Sequence, residues 1–133
     1  MRLVKDQVYA ALCTAFDENT VSDVYPSNWA DLPAVQYTEE ENRVQEKTND
    51  GEERSYVRYR VDIWHNRSTS EAAHRVDQVM GCPRSDDRIA GIEPLGLVRT
   101  TCSDVPDPSG LKHKQMRYEG IINMDDDFVE WPA

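Results

Sequence analysis

The stretch that most constrains this chain is Tyr56-Val57-Arg58-Tyr59-Arg60-Val61-Asp62-Ile63-Trp64. Val57, Tyr59, Val61 and Ile63 fall on one parity; Tyr56, Arg58, Arg60, Asp62 and Trp64 fall on the other. A strand turns successive side chains to opposite faces, so the alternation predicts a long strand with one apolar and one charged face. Its β-branched and aromatic residues suit a pleated, half-buried surface. Such a strand belongs at the centre of an antiparallel sheet covered on one side only.

The next residues predict what covers it. Ser68-Thr69-Ser70-Glu71 has capping-box spacing, with the Ser68 hydroxyl placed to accept the Glu71 N–H while Glu71 reaches back. Ala72, Ala73, Val76, Val79 and Met80 then recur at helical spacing. Gly81 reads as a left-handed stop, and Pro83 prevents the helix from resuming. Upstream, Val4, Val8, Ala11, Leu12, Ala15 and Phe16 form one face of a helix running from Leu3 to about Asp17. Val21 to Tyr25, closed by Pro26, reads as a small edge strand. A second strand begins at Ala34.

From Glu39 to Glu53 apolar residues almost vanish among seven acids and two cations. Low hydrophobicity and high charge fit a disordered loop. Asp50-Gly51, set between two strand-like runs, fits instead the tight turn of a hairpin projecting beyond the core, about residues 39–54, and this is the favoured reading. Downstream, Arg84 to Pro94 is loop, and Leu97 to Cys102 is a strand. Val105 to Gly110 is turn chemistry, and Lys112 to Met124 a closing strand with Met116, Tyr118, Gly120 and Ile122 on one parity. Residues 125–133 read as an acidic arm. The order implies a single α+β domain over 1–133: an antiparallel sheet of about four to five strands, a long projecting hairpin, and two helices on one face.

Composition narrows the functions. The net charge of -10 disfavours gripping a phosphate backbone, where affinity comes from Lys and Arg. Cys13, Cys82 and Cys102 are odd in number and lack paired spacing, so they read as free thiols in a reducing compartment. No apolar run approaches a membrane span, and the reading is of a soluble protein made in a cytoplasm. His65, His74 and His113 show no metal-ligand spacing, Cys82 follows a helix C-terminus where the dipole raises a thiol's pKa, and no phosphate-cradling glycine motif occurs. No enzyme, cofactor or metal is expected. Tyr56, Arg58, Arg60 and Trp64 fit single-strand stacking less well than a ladder of ion pairs to an acidic strand opposite; a subunit interface is a third reading.

The passages VYPSNWADLPAVQY, YVRYRVDIWHNRSTSEAAHRVDQVM and HKQMRYEGIINM, following an N-terminal amphipathic helix, resemble the tail terminator (tail-completion) proteins of long-tailed bacteriophages. Val24-Tyr25-Pro26, Leu32-Pro33, Ile63-Trp64 and Ser68 to Met80 carry the likeness; Arg84 to Pro94 and the acidic arm match nothing in it. The resemblance implies a structural virion protein, a homohexameric ring on the head-proximal end of the tail tube. Such a ring ends tube polymerisation and offers a docking surface to the head-completion or connector protein. Its partners would be its own copies, the tail tube protein and that connector, first in the host cytoplasm and then in the virion. DNA would pass an acidic lumen without specific binding. Asp50, Gly51, Glu52 and Glu53 at the hairpin tip become candidates for contact with tube or neighbour. Arg58 and Arg60 become candidates for inter-subunit ion pairs, with intrachain pairing left open. The alternative is a small head–tail joining or interaction module that forms no ring.

Overall fold

In the computed structural model, which describes residues 4–26, 29, 32–47, 53–123 and 128–129, the apolar periodicities become elements much as the sequence sets them out. Helix α1 spans Val4–Ala15, with Val4, Val8, Ala11 and Leu12 buried. Strand β1 (Val21–Ser22) leads to β2 (Ala34–Lys47) and β3 (Glu53–His65). Helix α2 (Ser70–Met80) follows, and then β4 (Val98–Val105), β5 (Lys112–Asn123) and β6 (Phe128–Val129). The sheet order is β1-β2-β3-β5-β4. All pairings are antiparallel except β1 with β2, which run parallel through Val21↔Val35, so the sheet is mixed. β6 pairs with β5 at Ile122↔Val129; because β3 occupies the other side of β5, β6 extends the β4 side.

The alternation in β3 works as expected. Val57, Tyr59, Val61 and Ile63 are fully buried, joined by Val35 and Tyr37 from β2 and Met116, Tyr118 and Ile122 from β5. Both helices cover this face with Val8, Leu12, Val76, Val79 and Met80. Two buried phenols need acceptors. Tyr59 donates to Glu39 Oε1 at 2.8 Å, and Tyr118 to Asp77 Oδ1 at 2.6 Å. Burial first, then these carboxylates, pushes both phenols far above their ordinary range.

Several local expectations are corrected. Thr69, not Ser68, is the helix N-cap; its side chain is buried and makes no capping bond. Ser68 Oγ accepts from the Ser70 N–H at 3.2 Å, and Glu71 pairs with Arg75 at 3.0 Å instead of reaching back. Gly81 is not left-handed: its φ of -94° is extended. The chain leaves α2 straight into a segment that returns to cap it, with N–H groups of Leu95, Gly96 and Leu97 donating to the carbonyls of Val79, Gly81 and Met80 at 2.9–3.0 Å. Carbonyls at a helix end thereby find partners without a left-handed turn. The second sheet face is not open throughout either, since Asp62 and Trp64 are each 2% exposed.

β2 and β3 pair antiparallel from Ala34↔Trp64 to Lys47↔Glu53, a ladder that does not by itself establish the hairpin expected to project over about 39–54. Residues 48–52, where the turn is expected, lie outside the described residues, as does most of the acidic arm expected over 125–133. β5 flanks β3 as far as Arg54↔Asn123, so β3 is paired on both sides over nearly its whole length.

Candidate functional site

Charge gathers on the sheet face opposite the helices. The register sets Arg60 of β3 directly against Arg117 of β5, a like-charge pair that needs a counter-ion. The counter-ion is Glu40. Between Glu39↔Tyr59 and Glu41↔Arg58 the β2 ladder shifts by one residue, so Glu40 is the extra residue of a bulge, a device that re-aims a side chain. It meets Arg117 at 2.9 Å, Arg58 at 3.4 Å and Arg60 at 3.5 Å. Burial works against the Arg58 charge, but Glu40 and Glu41 outweigh it and raise its pKa.

The network continues toward the strand end. Arg60 Nε also reaches Asp62 Oδ2 at 2.9 Å. Asp62 Oδ1 receives Gln115 at 3.1 Å and His113 Nε2 at 2.7 Å. A carboxylate this buried persists only with several partners, and Asp62 has three. The His113 ring stacks on Trp64, centroids 4.4 Å apart and planes 18° from parallel. Trp64 in turn meets Tyr25 and Trp29 at 5.4 and 5.8 Å.

Asp107, in the turn between β4 and β5, fastens this end. Its carboxylate accepts from Trp64 Nε1 at 3.0 Å, Tyr25 Oη at 3.3 Å, the Ser109 N–H at 3.0 Å and the Ser109 hydroxyl. Burial opposes its charge, but the bonds from Ser109 and Trp64 outweigh that and hold its pKa at about 2. His113 Nδ1 stands 3.6 Å from Asp107 Oδ1, buried and without a hydrogen bond.

The sequence-derived candidates fare unevenly. Arg58 and Arg60 lie on the charged face and pair within their own chain, the alternative left open above. Asp50, Gly51 and Glu52 lie outside the described residues, and Glu53 is described only as the start of β3 opposite Lys47. The acidic strand expected opposite Arg58 and Arg60 supplies Glu40, but its pairing with Arg117 and the parts played by His113 and Asp107 escaped sequence reasoning. Their partners are 77, 51 and 43 residues distant in the pairs Glu40–Arg117, Asp62–His113 and Trp64–Asp107, and no local spacing announces them. Chemically, the arginines of this face pair with Glu40 and Asp62 of the same chain.

Elsewhere, a cleft of ≈ 640 Å³ runs between α1 and residues 81–96, with Gln7, Thr14, Cys82 and Leu95 among its walls. Among the described residues no three His, Cys, Asp or Glu side chains gather to hold a metal ion, and no helix is long and apolar enough to cross a membrane. No family model and no curated protein matches the chain.

Proposed function

We propose that this chain is a structural virion protein of the tail terminator kind. In this reading its copies form a ring on the head-proximal end of a phage tail tube, end tube polymerisation and present the surface on which the head connector docks. It is assigned no reaction and no cofactor. The observation that carries the reading is where apolar surface is left uncovered. Tyr9, Val24, Tyr25 and Val44 are the large exposed hydrophobic side chains among the described residues, and all belong to the α1–β2 part of the chain. Beyond Gln36 the outer edge of β2 has no neighbouring strand among the described residues. Unpaired backbone along β2 and exposed apolar side chains within the same part of the chain suit a head-to-tail contact between protomers.

Val44→Glu tests this, because Val44 is 54% exposed and its loss leaves the core intact. The variant should keep the wild-type unfolding midpoint while losing ring formation and the capping of purified tail tubes. Unchanged capping would contradict the reading. One observation favours the alternative, a joining or interaction module without a ring: with β3 paired on both sides as far as Arg54, little of the hairpin is left to project. A variant carrying glutamine for Glu39, Glu40 and Glu41 that assembles and ejects DNA normally would sink the idea of a DNA-repelling acidic lumen.

A further inference from the structure

β4 closes the sheet on the side away from β2, and among the described residues no strand lies beyond it. Such an edge presents a row of unpaired N–H and C=O groups, which chains that stay apart protect with lysine, proline or outward charge. β4 contains neither lysine nor proline. Its two charged residues stand near its ends, Arg99 drawn onto Asp77 at 2.5 Å and Asp104 onto Lys114 at 3.3 Å. Between them Thr100, Thr101, Cys102 and Ser103 are exposed and uncharged. The β2 edge, by contrast, carries Glu39, Glu40, Glu41 and Arg43 and two register shifts.

The sequence of β4, Val-Arg-Thr-Thr-Cys-Ser-Asp-Val, is complementary to its own reverse. Its partners on β5 fix which residues share a face. Arg99, Cys102 and Asp104 oppose Tyr118, Met116 and Lys114 and lie on one face; Thr100 is the extra residue of a bulge. Val98, Thr101, Ser103 and Val105 oppose Glu119, Arg117, Gln115 and His113 on the other. Two copies of β4 set antiparallel, with Cys102 opposite Cys102, bring Thr101 opposite Ser103. Once each Thr100 is passed over, Arg99 faces Asp104 and Val98 faces Val105. Every opposed pair then shares a face, as antiparallel pairing demands, and both charge pairs have opposite sign. A slip of one residue destroys both properties.

We propose that β4 is a self-recognition edge, through which two copies of this chain join as a two-fold dimer with one sheet continuous across the pair. The contact is isologous and closes at two copies. It goes beyond the ring reading, since it uses the edge opposite β2.

Native Cys102 reports on it directly. Directly opposed residues of antiparallel strands have Cα atoms about 4.5–5.5 Å apart, within disulfide reach. Treating the full-length protein with diamide joins two thiols as one disulfide, the diazene taking up their two electrons and two protons. A covalent dimer should form, disappear in Cys102→Ser and persist in Cys82→Ser and Cys13→Ser. Under reducing conditions, sedimentation of Asp104→Arg, which sets arginine against Arg99 of the second copy, should show self-association weakened by about tenfold. Thr101→Lys, an exposed edge lysine, should do the same. Absence of any Cys102 cross-link, a cross-link that runs through Cys82, or association untouched by both variants overturns the proposal. So does finding a hexamer as the sole assembly and unaffected by Thr101→Lys, an outcome that leaves the ring reading standing.

Discussion

Asp107 joins parts of the chain that share no local pattern. Removing its side chain leaves Trp64 Nε1 and the Ser109 N–H without their acceptor, at a cost of about 2 kcal/mol for Asp107→Ala. Trp64→Phe loses the donor and also shrinks a buried ring that packs on His113, Tyr25 and Trp29, so it should cost at least as much as Asp107→Ala in a urea titration. The pH dependence has a definite sign. The folded pKa of about 2 lies below the ordinary carboxylate value near 3.9, so the contribution is complete above that value and lost as pH falls through about 2. Trp fluorescence during acid titration should therefore change in that window, and Asp107→Asn should flatten the change. Glu40 supports a second prediction. Glu40→Gln leaves Arg58, Arg60 and Arg117 facing one another and should destabilise by about 2–3 kcal/mol, against about 1 or less for Arg58→Gln. If added salt fails to narrow that difference, repulsion among the guanidiniums is not its cause. Of this, only the pairing of Arg58 and Arg60 with an acidic strand opposite was legible in the sequence. Val105 to Gly110 announces a turn through its prolines and glycine, yet nothing in it says that Asp107 will meet a tryptophan 43 residues upstream.

At the scale of elements, legibility followed the range of the force involved. The core faces of α1, α2 and β3 are written as periodicities of apolar residues, because burial acts on each element against any apolar partner. Caps are written less surely. Ser68 to Glu71 has capping-box spacing, but burying the Thr69 side chain starts the helix one residue later and leaves the Ser68 hydroxyl with Ser70. Gly81 looked like a left-handed stop, whereas the returning segment Leu95–Leu97 supplies the N–H groups that such a turn would have supplied. Two measurements follow. In hydrogen exchange the amides of Leu95 and Leu97 should be protected to the same degree as those of α2, opening only when the helix does. Gly81→Ala should destabilise by about 1 kcal/mol, because its Cβ would stand 3.0 Å from the Asp77 carbonyl oxygen, although no left-handed strain is involved. Rapid exchange at Leu95 would dismiss the capping segment.

For the whole molecule, the α+β class and the two helices on one face were read correctly from the order of patterns. So was the central place of β3, which pairs with β2 on one side and β5 on the other. The parallel β1 and the bulge that aims Glu40 were not, since each depends on how distant strands meet. The two edges of the sheet differ in kind: β2 is bulged and acidic with apolar side chains nearby, and β4 is uncharged at its centre and self-complementary. That difference separates the ring proposed for the first from the pair proposed for the second. The most direct test of the ring is the number of copies on a tube end, from the mass added when purified protein meets assembled tail tubes, followed by light scattering and mass-calibrated electron microscopy. A terminator predicts six copies at one end of each tube and no further growth there. Tubes that gain no mass and continue to lengthen in the presence of excess protein would contradict it.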